Sequence, residues 1–156
     1  MDVDTPKMEK DSTQIKNTQI KIDTLKNEFE KFSNWEEKYN HIIKMGKSLE
    51  PLSEEFKNPE LLVKGCQSQV WLKPDLNSDG KIDFKGESDS IIVQGLLALI
   101  LSVYSGESPE TILSTPPQFL EDLGLKKHLT PNRANGVYAM VKQILYYAQA
   151  FKLLKN

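Results

Sequence analysis

Cysteine, histidine and arginine are almost missing from this chain. Its 156 residues hold one cysteine, Cys66, two histidines, His41 and His128, and one arginine, Arg133. A single thiol excludes an internal disulfide, a paired-cysteine redox motif and any thiolate-rich zinc or iron–sulfur site built by one chain. It suits a reducing compartment, and the cytoplasm is the expected location. An excess of one charge is missing as well. With 22 acidic and 20 basic residues the formal net charge is -2, which gives no electrostatic case for nucleic acid or for an anionic membrane surface. Long apolar runs are also absent. The longest, Ile91 to Tyr104, is broken by Gln94 and Ser102 and falls short of the roughly 18 residues that a membrane span requires. The opening residues have no basic start followed by an apolar core, so no secretory signal is expected.

What remains is the composition of an ordinary globular domain, 38% hydrophobic and 27% charged, with enough apolar side chains for one core. Residues 1–14 are polar and without periodicity, and are expected to form a disordered extension ahead of a domain over 15–156. Ile15, Ile22, Leu25, Phe29 and Phe32 then fall on one helical stripe. Ser33 and Glu36 have capping-box spacing for a second helix, which should stop near Gly46. Val70 and Leu72, then Ile82 and Phe84, alternate with more polar neighbours on either side of Asn77-Ser78-Asp79-Gly80, the pattern of a β-hairpin. Ser88-Asp89-Ser90 offers caps to a buried central helix from Ile91 to Tyr104. Ser108-Pro109, Thr115-Pro116 and Thr130-Pro131 each pair a capping hydroxyl with a first-turn proline, predicting two short helices and a last long one. The expected fold class is α+β, with a small antiparallel sheet flanked by helices.

Three constellations could carry chemistry. Asp75-x-Asn77-x-Asp79-Gly80-x-Ile82-Asp83 matches the front of a calcium-binding EF-hand loop, but Gly86 stands where the closing bidentate carboxylate belongs. A polar hairpin turn accounts for the same residues. Cys66 lies in Gly65-Cys66-Gln67-Ser68-Gln69, a polar context that suits a presented thiol better than a packed one. Gly65 there allows unusual backbone angles and close approach of another chain. Cys66 and His128 could in principle form the nucleophile and base of a thiol hydrolase, although no orienting partner or oxyanion hole is announced. Arg133 sits in the first turn of the last helix, where the helix dipole prefers an acid, so its fork can serve a specific carboxylate or backbone contact.

Ordered blocks give the chain a family resemblance. They are Asn34-Trp-Glu-Glu-Lys-Tyr39 with Ile42-Ile43 and Gly46, and Gly65-Cys-Gln-Ser-Gln-Val-Trp71. Gly86-Glu-Ser-Asp89 with Ile92-Val-x-Gly95-Leu96 follows, then His128-Leu-Thr-Pro-x-Arg133 with Gly136 and Met140. The chain resembles the SufE family, the sulfur acceptors of iron–sulfur cluster assembly that include CsdE. The resemblance implies a fold similar to NifU/IscU-type scaffolds, with Cys66 as the acceptor cysteine. It implies a SufS-type cysteine desulfurase as donor and a SufB-type scaffold as recipient, with pyridoxal phosphate on the desulfurase and no metal or cofactor on this chain. Gly65, Gln67, Ser68, Asp89, His128 and Arg133 match positions implied to face a partner. A monomer or a homodimer is compatible with the resemblance.

Overall fold

The computed structural model describes the backbone of residues 5–155 and the side chains of residues 17–154. Helix α1 spans Thr5–Glu30 and α2 spans Trp35–Lys47. An irregular stretch with a 3₁₀ turn at Glu54–Phe56 leads into strands β1, Val70–Leu76, and β2, Ile82–Ser88. Helices α3 (Ile91–Tyr104), α4 (Pro109–Leu113), α5 (Gln118–Asp122), α6 (Leu125–His128) and α7 (Pro131–Lys155) complete the chain. The expected α+β class, with an antiparallel sheet among helices, is the one observed.

Helix α1 starts ten residues before its apolar stripe, so residues 5–14 are helical rather than a disordered extension. Lys, Glu, Met and Gln have good helix propensity, and a helix that propensity alone extends leaves no trace in apolar periodicity. Residues 1–4 lie outside the described part. From Thr18 onward the helix faces inward, burying Ile22, Leu25 and Phe29.

The cap of α2 lies one residue later than its spacing suggests. Asn34 is the N-cap, its Oδ1 accepting from the Glu37 amide at 2.9 Å, while Glu37 Oε2 accepts from the Ser33 amide at 2.9 Å. Asn caps as well as Ser does, so neighbouring capping residues leave the start ambiguous by one. Gly46 is inside α2, and its role is close approach rather than termination. A Cβ on Gly46 would lie 2.7 Å from the Gly95 nitrogen, and one on Gly95 would lie 2.3 Å from the Ile42 carbonyl oxygen. The two glycines let α2 cross α3 backbone to backbone, and Gln94 Nε2 donates to the Gly46 carbonyl at 3.0 Å across the same crossing.

The hairpin pairs Val70 with Ser88 at one end and Leu76 with Ile82 at the other. Val70, Leu72, Ile82 and Phe84 are buried on one face, as the alternation requires. The core is built around α3, whose Leu97, Leu99, Ile100, Val103 and Tyr104 are fully buried. Helix α7 closes it with Val137, Met140, Val141, Ile144 and Ala148. Helix α5 is capped at Pro117, not at Thr115. Thr115 is buried and donates to the Thr111 carbonyl at 2.7 Å, so its hydroxyl is spent closing α4 instead.

Candidate functional site

A second, shorter hairpin carries the thiol. The Val63 amide donates to the Val70 carbonyl at 2.7 Å and the Leu72 amide to the Leu61 carbonyl at 2.9 Å, so residues 61–63 run antiparallel against β1. The loop 64–69 joins them, between the buried Val63 and Val70. Gly65 sits in it with φ +96°, a left-handed conformation that side chains resist. Cys66 follows, half-buried, with Gln67 exposed and Ser68 half-buried.

The C-terminal stem of this loop is pinned by the end of β2. Asp89 Oδ1 accepts from the Gln69 amide at 3.0 Å, the Asp89 amide donates to the Gln69 carbonyl at 3.2 Å, and Ser88 Oγ donates to the same carbonyl at 2.9 Å. Asp89 is thus engaged in holding the loop. The N-terminal part of α7 lies against the other side. The Cys66 thiol donates to the Gly136 carbonyl across 3.5 Å, and a Cβ on Gly136 would sit 3.6 Å from Sγ.

Between these walls is a pocket of about 350 Å³. It is lined by Cys66, Gln67 and Ser68 of the loop, by Ser90, Val93 and Leu96 of the α3 region, and by Thr130, Asn132, Arg133, Gly136 and Met140 of the α7 region. Burial pushes the Cys66 thiol above its ordinary pKa, because desolvation disfavours the thiolate. The Arg133 guanidinium makes no ion pair or hydrogen bond among the described residues; only its backbone amide is used, donating to Thr130 Oγ1 at 3.3 Å.

Of the seven expected site residues, Cys66, Gln67, Ser68 and Arg133 meet at this pocket, and Gly65 and Asp89 shape the loop that forms its edge. His128 does not line it. Its ring stacks on Trp35 of α2 at 4.1 Å with 15° between planes, at the end of the short helix α6, which no sequence signal announces. The Cys66–His128 nucleophile–base pair is therefore not assembled, and His128 fastens α6 to α2. In the Asp75–Asp83 stretch, Asp75 and Asp83 are paired strand residues and 77–81 is the hairpin turn, where Asn77 Oδ1 accepts from the Asp79 and Lys81 amides at 2.9 and 3.1 Å. Among the described residues no three His, Cys, Asp or Glu side chains group so as to hold a metal ion. Asn132, Gly136 and Met140 were not expected as pocket residues, although their i, i+4, i+8 spacing on α7 is the signal that places them on one face.

No described helix is long and apolar enough to cross a membrane. The solution structure of a hypothetical protein from Thermus thermophilus is similar in fold, with a TM-score of 0.71 at 21% identity over 85% of this chain and 96% of that one. The family model described as SufE, Fe-S metabolism associated domain, matches residues 23–148, a stretch that contains the thiol loop, the hairpin, α3 and much of α7. On that match the chain belongs to the SufE family and is associated with iron–sulfur metabolism.

Proposed function

We propose that this protein is a sulfur acceptor that enhances a SufS-type cysteine desulfurase and relays persulfide sulfur on Cys66 to a SufB-type cluster scaffold. The observation that carries the reading is the placement of the chain's one thiol at the edge of a pocket, half-buried on a loop that is held at its stem. A sulfur relay needs one reachable thiol and is harmed by a second, which would resolve the persulfide into a disulfide.

The chemistry is exchange at sulfur. The Cys66 thiolate attacks the outer sulfur of a persulfide on the donor's cysteine. A new sulfur–sulfur bond forms on Cys66, the donor's bond breaks, and the donor cysteine leaves as thiolate. The oxidation level of the pair is unchanged, so no further oxidant or reductant is required. Passing the outer sulfur to the scaffold repeats the step with Cys66 as leaving group. Gly65, Gln67 and Arg133 are the side of the loop and pocket that a donor would meet, and Asp89 acts through the Gln69 backbone.

The test is incubation of the protein with a cysteine desulfurase carrying pyridoxal phosphate and with free cysteine. Intact-mass analysis should show one added sulfur atom on Cys66, and Cys66→Ser should lose both that mass and the acceleration of desulfurase turnover. Acceleration by Cys66→Ser equal to wild type would end the relay reading.

A further inference from the structure

The pocket beside Cys66 carries polar side chains that the fold itself leaves unpartnered among the described residues. We propose that it also binds a small thiol carrying a carboxylate, of the kind of free cysteine, and discharges the Cys66 persulfide onto it. This rests on the sulfur-acceptor reading for how Cys66 is loaded, and adds a small-molecule route by which the sulfur leaves.

The size and lining support a small ligand. At about 350 Å³ the pocket is at the lower end of the range of small-molecule sites. The buried Val93, Leu96 and Met140 give it an apolar lining, and the exposed Gln67, Asn132 and Arg133 give it a polar rim. On the α7 side of that rim, the Arg133 guanidinium and the Asn132 amide have no partner among the described residues. Ser90 and Thr130 use their oxygens to accept from the Val93 and Arg133 amides, and each keeps its hydroxyl proton to donate. A guanidinium fork matches a carboxylate in a way that a thiol, an amine or a neutral amide cannot satisfy. Cys66 and Arg133 line the same pocket, so a ligand held by its carboxylate at Arg133 has its sulfur within the space that Cys66 borders.

The step balances as a simple exchange. The ligand's thiolate attacks the outer sulfur of the Cys66 persulfide, a small-molecule persulfide forms, and Cys66 leaves as thiolate. It then takes back a proton, which its half-buried position favours. No oxidant or reductant enters.

The experiment loads the full-length protein without any desulfurase, using inorganic polysulfide followed by desalting, so that it does not depend on the donor. Loss of the extra sulfur from Cys66 is then timed by intact mass with L-cysteine and with cysteamine, the same aminothiol without its carboxylate, at matched thiolate concentrations. L-cysteine should discharge Cys66 about tenfold faster, the scale of one charge-assisted hydrogen-bonded contact, and its rate should saturate with concentration. Arg133→Gln, checked for native circular dichroism, should bring the L-cysteine rate down to that of cysteamine. Equal, unsaturating rates for both thiols in the wild type would overturn the proposal and leave the relay intact. A protein that discharges selectively here but takes no sulfur from a desulfurase would overturn the relay and leave the pocket.

Discussion

Two features of the fold act together to favour the protonated form of Cys66. Burial disfavours the thiolate, and the thiol hydrogen is directed at the Gly136 carbonyl. Shielding and protonation protect a thiol from adventitious oxidation, because the thiolate is the reactive form. The pH dependence follows with a definite sign. Folding holds this proton more tightly than the unfolded chain does, so the stability it contributes is complete below the unfolded thiol's pKa of about 8.5 and is lost as pH rises through the higher folded value. Alkylation of Cys66 followed against pH should therefore show a midpoint above that of the same chain in denaturant. A midpoint at or below the denatured one would mean an activated thiol and a different resting state. The loop itself is legible in the sequence, because a cysteine among glycine and glutamines is a poor core residue. The raised pKa is not, because adjacent Lys64 suggests a depressed one and only the packing of α7 shows which effect wins.

At the scale of elements, glycines separate what sequence can and cannot disclose. Gly46 reads as a helix stop in one dimension, and only its contact with Gly95 reveals a crossing point. The two kinds of glycine predict different costs. Gly95→Ala puts a Cβ 2.3 Å from a backbone oxygen that cannot move aside, so the helices must separate. A loss of about 3 kcal/mol is expected, the upper range for overpacking. Gly106→Ala meets nothing closer than 4.0 Å, and its cost is that of a left-handed backbone at φ +83°, about 1 kcal/mol. Urea unfolding of the two variants should keep this order; the reverse order would mean that α2 and α3 can slide apart freely. The hairpin is readable because period-2 burial is local. The caps at Asn34 and Pro117 are not, because several neighbouring residues can cap, and tertiary contacts such as those of Thr115 decide among them.

On the scale of the whole molecule, the pocket is assembled from residues 66–68, 90–96 and 130–140, and no local pattern brings those stretches together. What brings them together is the packing of the sheet, α3 and α7 into one core, and α1 fastens that core from outside the thiol's neighbourhood. Lys21 is the fastening. Its ammonium pairs with Glu107, whose side chain is 5% exposed, and donates to the Ser105 and Val103 carbonyls at 3.2 and 3.4 Å. Those carbonyls are at the end of α3, where a cation is favoured. The turn they belong to is bonded in turn to β2, with the Ile82 amide donating to the Glu107 carbonyl at 2.9 Å. One lysine thus joins α1, α3 and the sheet. Lys21→Met would leave Glu107 buried without its counter-charge. Removing one partner of a buried pair costs about 3–5 kcal/mol, and the one-third exposure of Lys21 reduces this to about 2 kcal/mol. Adding Glu107→Gln to Lys21→Met should recover part of the loss, since it removes the unpaired charge. A single-variant cost within about 0.5 kcal/mol of wild type in urea, the range of an ordinary surface change, would show that α1 is held by its apolar stripe alone.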